Sequence, residues 1–318
     1  MIKLKHVLES QQFDRELMEN IFEWAKGTAG DLVKRGAAEK VPPLSGRAMI
    51  SFFYEPSTRT QASFEIAMNK LGGNVVFSTN MAGQYSSVAK GESIEDTIRT
   101  LCEYVPGVIV LRSPEEGYAK RAADICDRYY PDVHIINAGD GQGQHPTQSL
   151  LDVYTIKKFL GKTSDIDVAI VGDLQKSRVA RSLAYLLSKF PGNRFYFVSP
   201  GDLKMKDDVK EYLMKHKVKF YESEDIREVA SICNVFYMTR ARKEYGSKID
   251  MSDKKLIIDK SILELMKNPG EAIILHPLPR NEEINPEIDE DPRSVYFSQI
   301  RCGLEIRIAL LYFLFCVW

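Results

Sequence analysis

Apolar and polar residues follow two rhythms along this chain. Residues 13–35 place Leu17, Ile21 and Trp24 on one face at helical spacing, with charged residues between them. After Pro42-Pro43, residues 48–54 form a short apolar run with the length of a buried strand. The two signals then alternate. Helices are predicted at 60–71, 93–105 and 115–129, and strands at 74–78, 107–111 and 133–137. Ser93 and Asp96 have the spacing of a capping box. A loop rich in glycine and polar residues, 138–146, leads into a helix at 147–160 that Gly161 ends. A second series comes next, with strands at 168–171, 194–198, 218–221, 235–238 and 272–275. Its helices are predicted at 177–190, 206–216 and 225–231, and residues 296–318 close the chain as a long helix.

Strands alternating with helices predict the α/β class: parallel sheets covered by helices on both faces. The two series split near Leu150, so two domains are expected, and a length of 318 residues fits that number. No heptad array, repeat period or low-complexity tract interrupts them.

Composition narrows the function classes. Lys plus Arg is 43 and Asp plus Glu is 44, a net charge of -1, which argues against a nucleic-acid binder. The cysteines, Cys102, Cys126, Cys233, Cys302 and Cys316, are odd in number and widely spaced, without a Cys-x-x-Cys. A disulfide framework or zinc site is not expected, and a reducing, cytoplasmic setting is. Residues 1–9 lack the pattern of a signal peptide. The longest apolar run, 308–318, is too short for a membrane-spanning helix, which needs about 20 residues, and reads as a buried terminal helix.

In parallel sheets, ligands bind at the carboxyl ends of strands. Several unusual clusters fall there. Glu55-Pro56-Ser57-Thr58-Arg59-Thr60 joins a strand to a helix. A helix cap needs one hydroxyl; three hydroxyls, open backbone N–H groups and an arginine suit a phosphate. Ser86 and Lys90 lie in a loop that could close over an anion, although a solvated surface loop is the simpler reading of that segment alone. Arg112 directly follows a strand, as a candidate anion ligand or a surface ion pair. His145 and Gln148 stand at the domain boundary after the glycine-rich loop. His145 reads equally as structural or as a donor to a carbonyl oxygen. Asp140 in that loop lacks the partners of a metal ligand.

In the second series, Gly172-Asp173-Leu174 leads to Arg178, and Thr239 precedes Arg240 and Arg242. Three arginines after parallel strands suit a substrate with two carboxylates, which guanidinium groups bind in bidentate fashion, or are scattered surface charge. His276-Pro277-Leu278-Pro279-Arg280 is a rigid turn whose carbonyls could accept N–H groups from a substrate. With no nucleophilic Ser-His pair, metal cluster or cofactor motif in view, the clusters point to positioning and electrostatics across a domain cleft.

Seven segments in register resemble the aspartate/ornithine carbamoyltransferase family, in particular its aspartate-specific catalytic chains, over nearly the whole sequence. They are the Ser57–Thr60 motif, Lys90-Gly91-Glu92, Arg112-Ser113-Pro114, His145-Pro146-Thr147-Gln148, Val171-Gly172-Asp173-Leu174, Tyr237-Met238-Thr239-Arg240 and the His276–Arg280 turn. The resemblance implies a carbamoyl-phosphate domain at 1–147 with 298–318, its last helix crossing back, and an aspartate domain at 148–297. It implies a homotrimer with sites shared between chains, leaves room for a regulatory subunit, and calls for no cofactor, metal or membrane. Ser57, Thr58, Arg59, Thr60 and Arg112 would hold the phosphate, with Ser86 and Lys90 reaching in from a neighbouring chain. Thr60, Arg112 and His145 would polarise the carbamoyl carbonyl, and Gln148 would bind its amino group. Arg178 and Arg240 would grip aspartate, with Lys90 and Arg242 beside it, and the carbonyls of Pro277 and Leu278 would orient the reacting amines.

One departure stands out. The family has Gln where this chain has Arg242, which leaves a transcarbamoylase for another amino acid as the alternative within the enzyme class, and a non-catalytic assembly homologue outside it. Ornithine-specific relatives place Cys after the His of the last turn. Pro277 and Arg240 here favour aspartate.

Overall fold

The computed structural model describes residues 4–35, 43–80, 90–104, 106–240 and 255–316. The chain divides into two compact units, Met1–Thr147 with Gly303–Trp318, and Gln148–Cys302. Each is built on one parallel sheet.

The first unit holds strands β1 (Ala48–Phe53), β2 (Asn74–Asn80), β3 (Val108–Ser113) and β4 (His134–Asp140), in the spatial order β2-β1-β3-β4. β1, β3 and β4 are buried almost end to end, as strands of a parallel sheet covered on both faces are. Helices α1 (Arg15–Trp24), α2 (Gly30–Arg35), α3 (Thr58–Lys70), α4 (Ile94–Glu103) and α5 (Tyr118–Tyr129) accompany them. Ile50, Phe52, Ile109 and Leu111 pack with Ile98 of α4 and Ala122 of α5. The helix expected over residues 13–35 is interrupted by a π-helical turn, Ala25–Ala29, around the weak helix formers Gly27 and Thr28. Ser93 caps α4, accepting from the Asp96 N–H at 3.1 Å. Its hydroxyl in turn donates to the Asp96 carboxylate at 2.9 Å.

The second unit orders its strands β7 (Lys219–Ser223), β6 (Arg194–Val198), β5 (Asp167–Val171), β8 (Val235–Met238) and β9 (Ile273–Leu275) side by side. β5, β8 and β9 are fully buried, whereas the edge strand β7 is largely exposed. Helices α7 (Arg178–Leu187), α8 (Asp207–Lys215), α9 (Arg227–Ala230) and α10 (Lys260–Leu265) belong to this unit. α9 is shorter than expected, and α10 has no counterpart in the sequence pattern.

Two long helices, α6 (Pro146–Leu160) and α11 (Ser298–Cys316), carry the chain from one unit to the other. The end of α11 belongs to the first unit. Tyr312 stacks on Trp24 with ring centroids 4.3 Å apart, and Arg307 lies 5.2 Å over the Phe64 ring. Phe315 meets His134 edge-on and lies against Gly107, where an added Cβ would stand 2.3 Å from its ring. The described part of the terminal apolar run, 308–316, is thus buried or half-buried in this unit, and no described helix is long and apolar enough to cross a membrane.

Candidate active site

In the first sheet, the chain passes from β1 to β2 on one side and from β3 to β4 on the other, so the topological switch point lies between β1 and β3. Such a point opens a crevice at the carboxyl ends of the strands. β1 runs through Tyr54 and Glu55 into α3. Ser57 is the N-cap, yet its hydroxyl makes no capping bond, and the first turn carries no acidic side chain. Both features keep the exposed N–H groups and the positive end of the helix dipole suited to an anion. Ser57 is half-buried, Thr58 and Arg59 are exposed, and Thr60 is buried at 6% exposure.

Arg112 lies beside this turn as the last residue but one of β3, inside the strand rather than after it as expected, because it pairs in register with Phe53 and Ser113 still pairs with Asp140. Its guanidinium lies 3.3 Å from the Glu55 carboxylate and donates to the Ala138 carbonyl oxygen of β4 at 3.2 Å. Its own carbonyl accepts from the Tyr54 N–H at 2.9 Å. Arg112 is therefore anchored across three adjacent strand ends.

β4 continues to Asp140, past the expected end at Asn137, because the buried Asp140 side chain organises the loop beyond it. Its carboxylate accepts from the N–H groups of Gln144 at 2.7 Å and Gly117 at 3.1 Å. The Gly141 N–H donates to the Ser113 carbonyl at 2.8 Å. Gly141 has a φ of 47°, and a Cβ there would sit 2.5 Å from the Pro114 carbonyl oxygen. The loop is thereby held against the end of β3, and it delivers His145 to the start of α6. His145 is buried at 5% exposure, with its Nδ1 3.4 Å from the Thr147 hydroxyl.

The second sheet switches direction between β5 and β8. Thr239 joins the two ends: its N–H and its hydroxyl both donate to the Val171 carbonyl at 2.8 Å. Arg178 opens α7, behind the Ser177 cap, and is only 3% exposed. Arg240 follows Thr239 and is half-buried. A buried arginine and a half-buried one thus follow neighbouring strands.

After β9 the chain turns at His276. The Leu278 N–H donates to His276 Nδ1 at 2.7 Å, so the ring proton sits on Nε2 and faces Glu283 at 2.8 Å. Burial works against the Glu283 charge. Hydrogen bonds from His276 and the Asn281 N–H outweigh it and hold that carboxyl below its ordinary range. Pro277 and Leu278 are half-buried, and Leu278 adopts a left-handed φ of 56°. The Arg280 guanidinium is fastened to the Asp289 carboxylate, which keeps that acid charged.

Lys90 is exposed. Ser86 and Arg242 lie outside the described residues. Among the described residues, no three His, Cys, Asp or Glu side chains gather as for a metal ion.

Two buried residues here were not singled out from the sequence. Asp152 accepts from the Gln148 side-chain amide at 2.9 Å and from that of Gln299 at 2.5 Å. Gln148 and Asp152 have the i, i+4 spacing of neighbours on a helix face, and that spacing was the available signal. Nothing local marks Gln299.

The model of the aspartate/ornithine carbamoyltransferase carbamoyl-P binding domain matches residues 5–158, and that of the Asp/Orn binding domain matches residues 164–314. The chain belongs to the aspartate/ornithine carbamoyltransferase family. Within that family it is 48% identical over 318 residues to a chloroplastic aspartate carbamoyltransferase of Oryza sativa subsp. japonica, covering 98% of this chain and 85% of the relative. It is 40% identical over 308 residues to the aspartate carbamoyltransferase catalytic subunit of Methanocaldococcus jannaschii, covering 97% of each. A crystal structure of Trypanosoma cruzi aspartate transcarbamoylase in complex with carbamoyl phosphate and aspartate is similar at a TM-score of 0.88 and 35% identity, over 98% of this chain and 96% of that one.

Proposed function

We propose that this carbamoyltransferase moves the carbamoyl group of carbamoyl phosphate to the α-amine of L-aspartate. The products are N-carbamoyl-L-aspartate and phosphate, an early step of pyrimidine biosynthesis. The observation that carries this reading is the different chemistry at the two switch points. One offers an acid-free helix start with three hydroxyls, Arg59 and Arg112; the other offers Arg178 and Arg240 at adjoining strand ends. A phosphate suits the first, and a dicarboxylate suits the second.

In this reading Ser57, Thr58, Arg59, Thr60 and Arg112 hold the phosphate. Thr60, Arg112 and His145 face the carbamoyl oxygen, and Gln148 takes the carbamoyl NH2. Arg178 and Arg240 bind the aspartate carboxylates, joined by Arg242. The carbonyls of Pro277 and Leu278 orient the amines. The neutral α-amine attacks the carbamoyl carbon, and the oxyanion of the tetrahedral intermediate collects donors from Thr60, Arg112 and His145. Collapse expels phosphate, which can itself accept the amine proton. One such donor lowers the barrier by about 3 kcal/mol. A homotrimer in which Ser86 and Lys90 serve the neighbouring chain, and a cytoplasmic location, belong to the same proposal.

The test is carbamoyl-aspartate formation by the purified chain, run beside ornithine and a panel of aspartate analogues. Turnover restricted to aspartate is expected. No turnover at millimolar aspartate by folded protein refutes the proposal, and a preference for another amino acid assigns Arg242 to a changed specificity.

A further inference from the structure

Asp152 sits on α6 one turn after Gln148, with no exposed surface. Its Oδ1 accepts from Gln148 Nε2 at 2.9 Å and from Gln299 Nε2 at 2.5 Å. A carboxylate accepts and does not donate, so each amide must turn its nitrogen toward Asp152. The oxygens then point elsewhere. That of Gln299 accepts the His276 backbone N–H at 3.0 Å, at the root of the Pro277-Leu278 turn. Tyr237 belongs to the same group of side chains. Burial, and then the Asp152 charge, push its hydroxyl well above the ordinary range, so it remains protonated.

We propose that Asp152 is the positioning residue that sorts two amides at once: it commits Gln148 to present an oxygen, and hence to accept from a carbamoyl NH2, while Gln299 ties the amine-orienting turn to the same carboxylate. This rests on the reading of Gln148 given above. An amide without such a partner can flip and offer an NH2 instead. A substrate with a donor group at that position then meets a donor and loses its advantage over one with a methyl group. Asp152 therefore acts on selectivity between acyl phosphates and leaves the phosphate site of the first unit alone.

Acetyl phosphate provides the comparison, since it carries CH3 where carbamoyl phosphate carries NH2. Calorimetry on the full-length chain would give dissociation constants for carbamoyl phosphate, acetyl phosphate and inorganic phosphate. In Asp152→Ala the preference for carbamoyl over acetyl phosphate should fall about tenfold, the size of one net hydrogen bond, with inorganic phosphate held within about twofold. In a Gln148→Ala background the same substitution should leave the preference unchanged, because the two residues act as one unit. If Asp152→Ala fails to fold, Asp152→Asn decides: it sets an NH2 among the donors and should lower the preference several-fold. An unchanged preference in the folded variant, or equal losses for all three ligands, overturns the proposal. A wild-type chain that does not prefer carbamoyl phosphate overturns the reading of Gln148 itself, and this inference with it.

Discussion

Gly172 leaves β5 with a φ of 121°, and a Cβ built on it would stand 2.3 Å from the Thr239 carbonyl oxygen. Both facts select glycine: the backbone is in a region that other residues rarely adopt, and the neighbour is main chain that cannot rotate aside. The same close approach lets Thr239 donate twice to Val171 and sets the spacing between the segments that carry Arg178 and Arg240. Gly172→Ala should destabilise the second unit by about 2–4 kcal/mol, read as a lowered denaturant midpoint, and should weaken aspartate binding more than phosphate binding. Wild-type stability in that variant would contradict this account of the strand ends.

The turn after β9 works as an element because His276 is held at both ring nitrogens. Glu283 is depressed in the folded state, so it stabilises the protein above the unfolded carboxylate pKa of about 4.3, and that contribution is lost as pH falls through its lower folded value. The thermal-midpoint gap between wild type and Glu283→Gln should therefore be widest near neutral pH and narrow as the solution is acidified to about pH 3. A gap independent of pH would contradict it.

At this scale the sequence pattern reads well where an element is long and uniformly buried. β1, β5 and β8 announce themselves as apolar runs, and Arg112, Arg178 and Arg240 could be placed at one edge of their sheets because parallel strands end together. It reads poorly where a long-range partner decides. β4 continues through Gly139 and Asp140, both ordinary loop residues, because Asp140 has N–H groups to receive from two segments. α10 has only six residues, too few for a helical period to show. Asp152 and Gln299 meet across 147 residues of sequence, which no local pattern encodes.

For the whole molecule, the proposed trimer makes a prediction that activity of the uniform protein cannot supply. Arg59 lies in the first turn of α3, whereas Lys90 would serve a neighbouring chain. Lys90→Ala and Arg59→Ala proteins should each be nearly inactive alone. Once subunits exchange, mixed trimers should recover part of the activity, since some boundaries then carry both intact residues. No recovery after verified exchange would place Lys90 in its own chain's site.

The first unit is discontinuous in sequence. Its sheet is complete by Asp140, but Tyr312, Arg307 and Phe315, which rest on Trp24, Phe64 and Gly107, come from the end of α11. A cut at Cys302 therefore affects the two units unequally. The second unit has all its residues at Cys302, while the apolar surface around Trp24 and Phe64 waits for the rest of α11. A chain cut there keeps one unit whole in sequence and leaves the other with an open flank. That flank is where a chaperone, or another cut chain, would bind first.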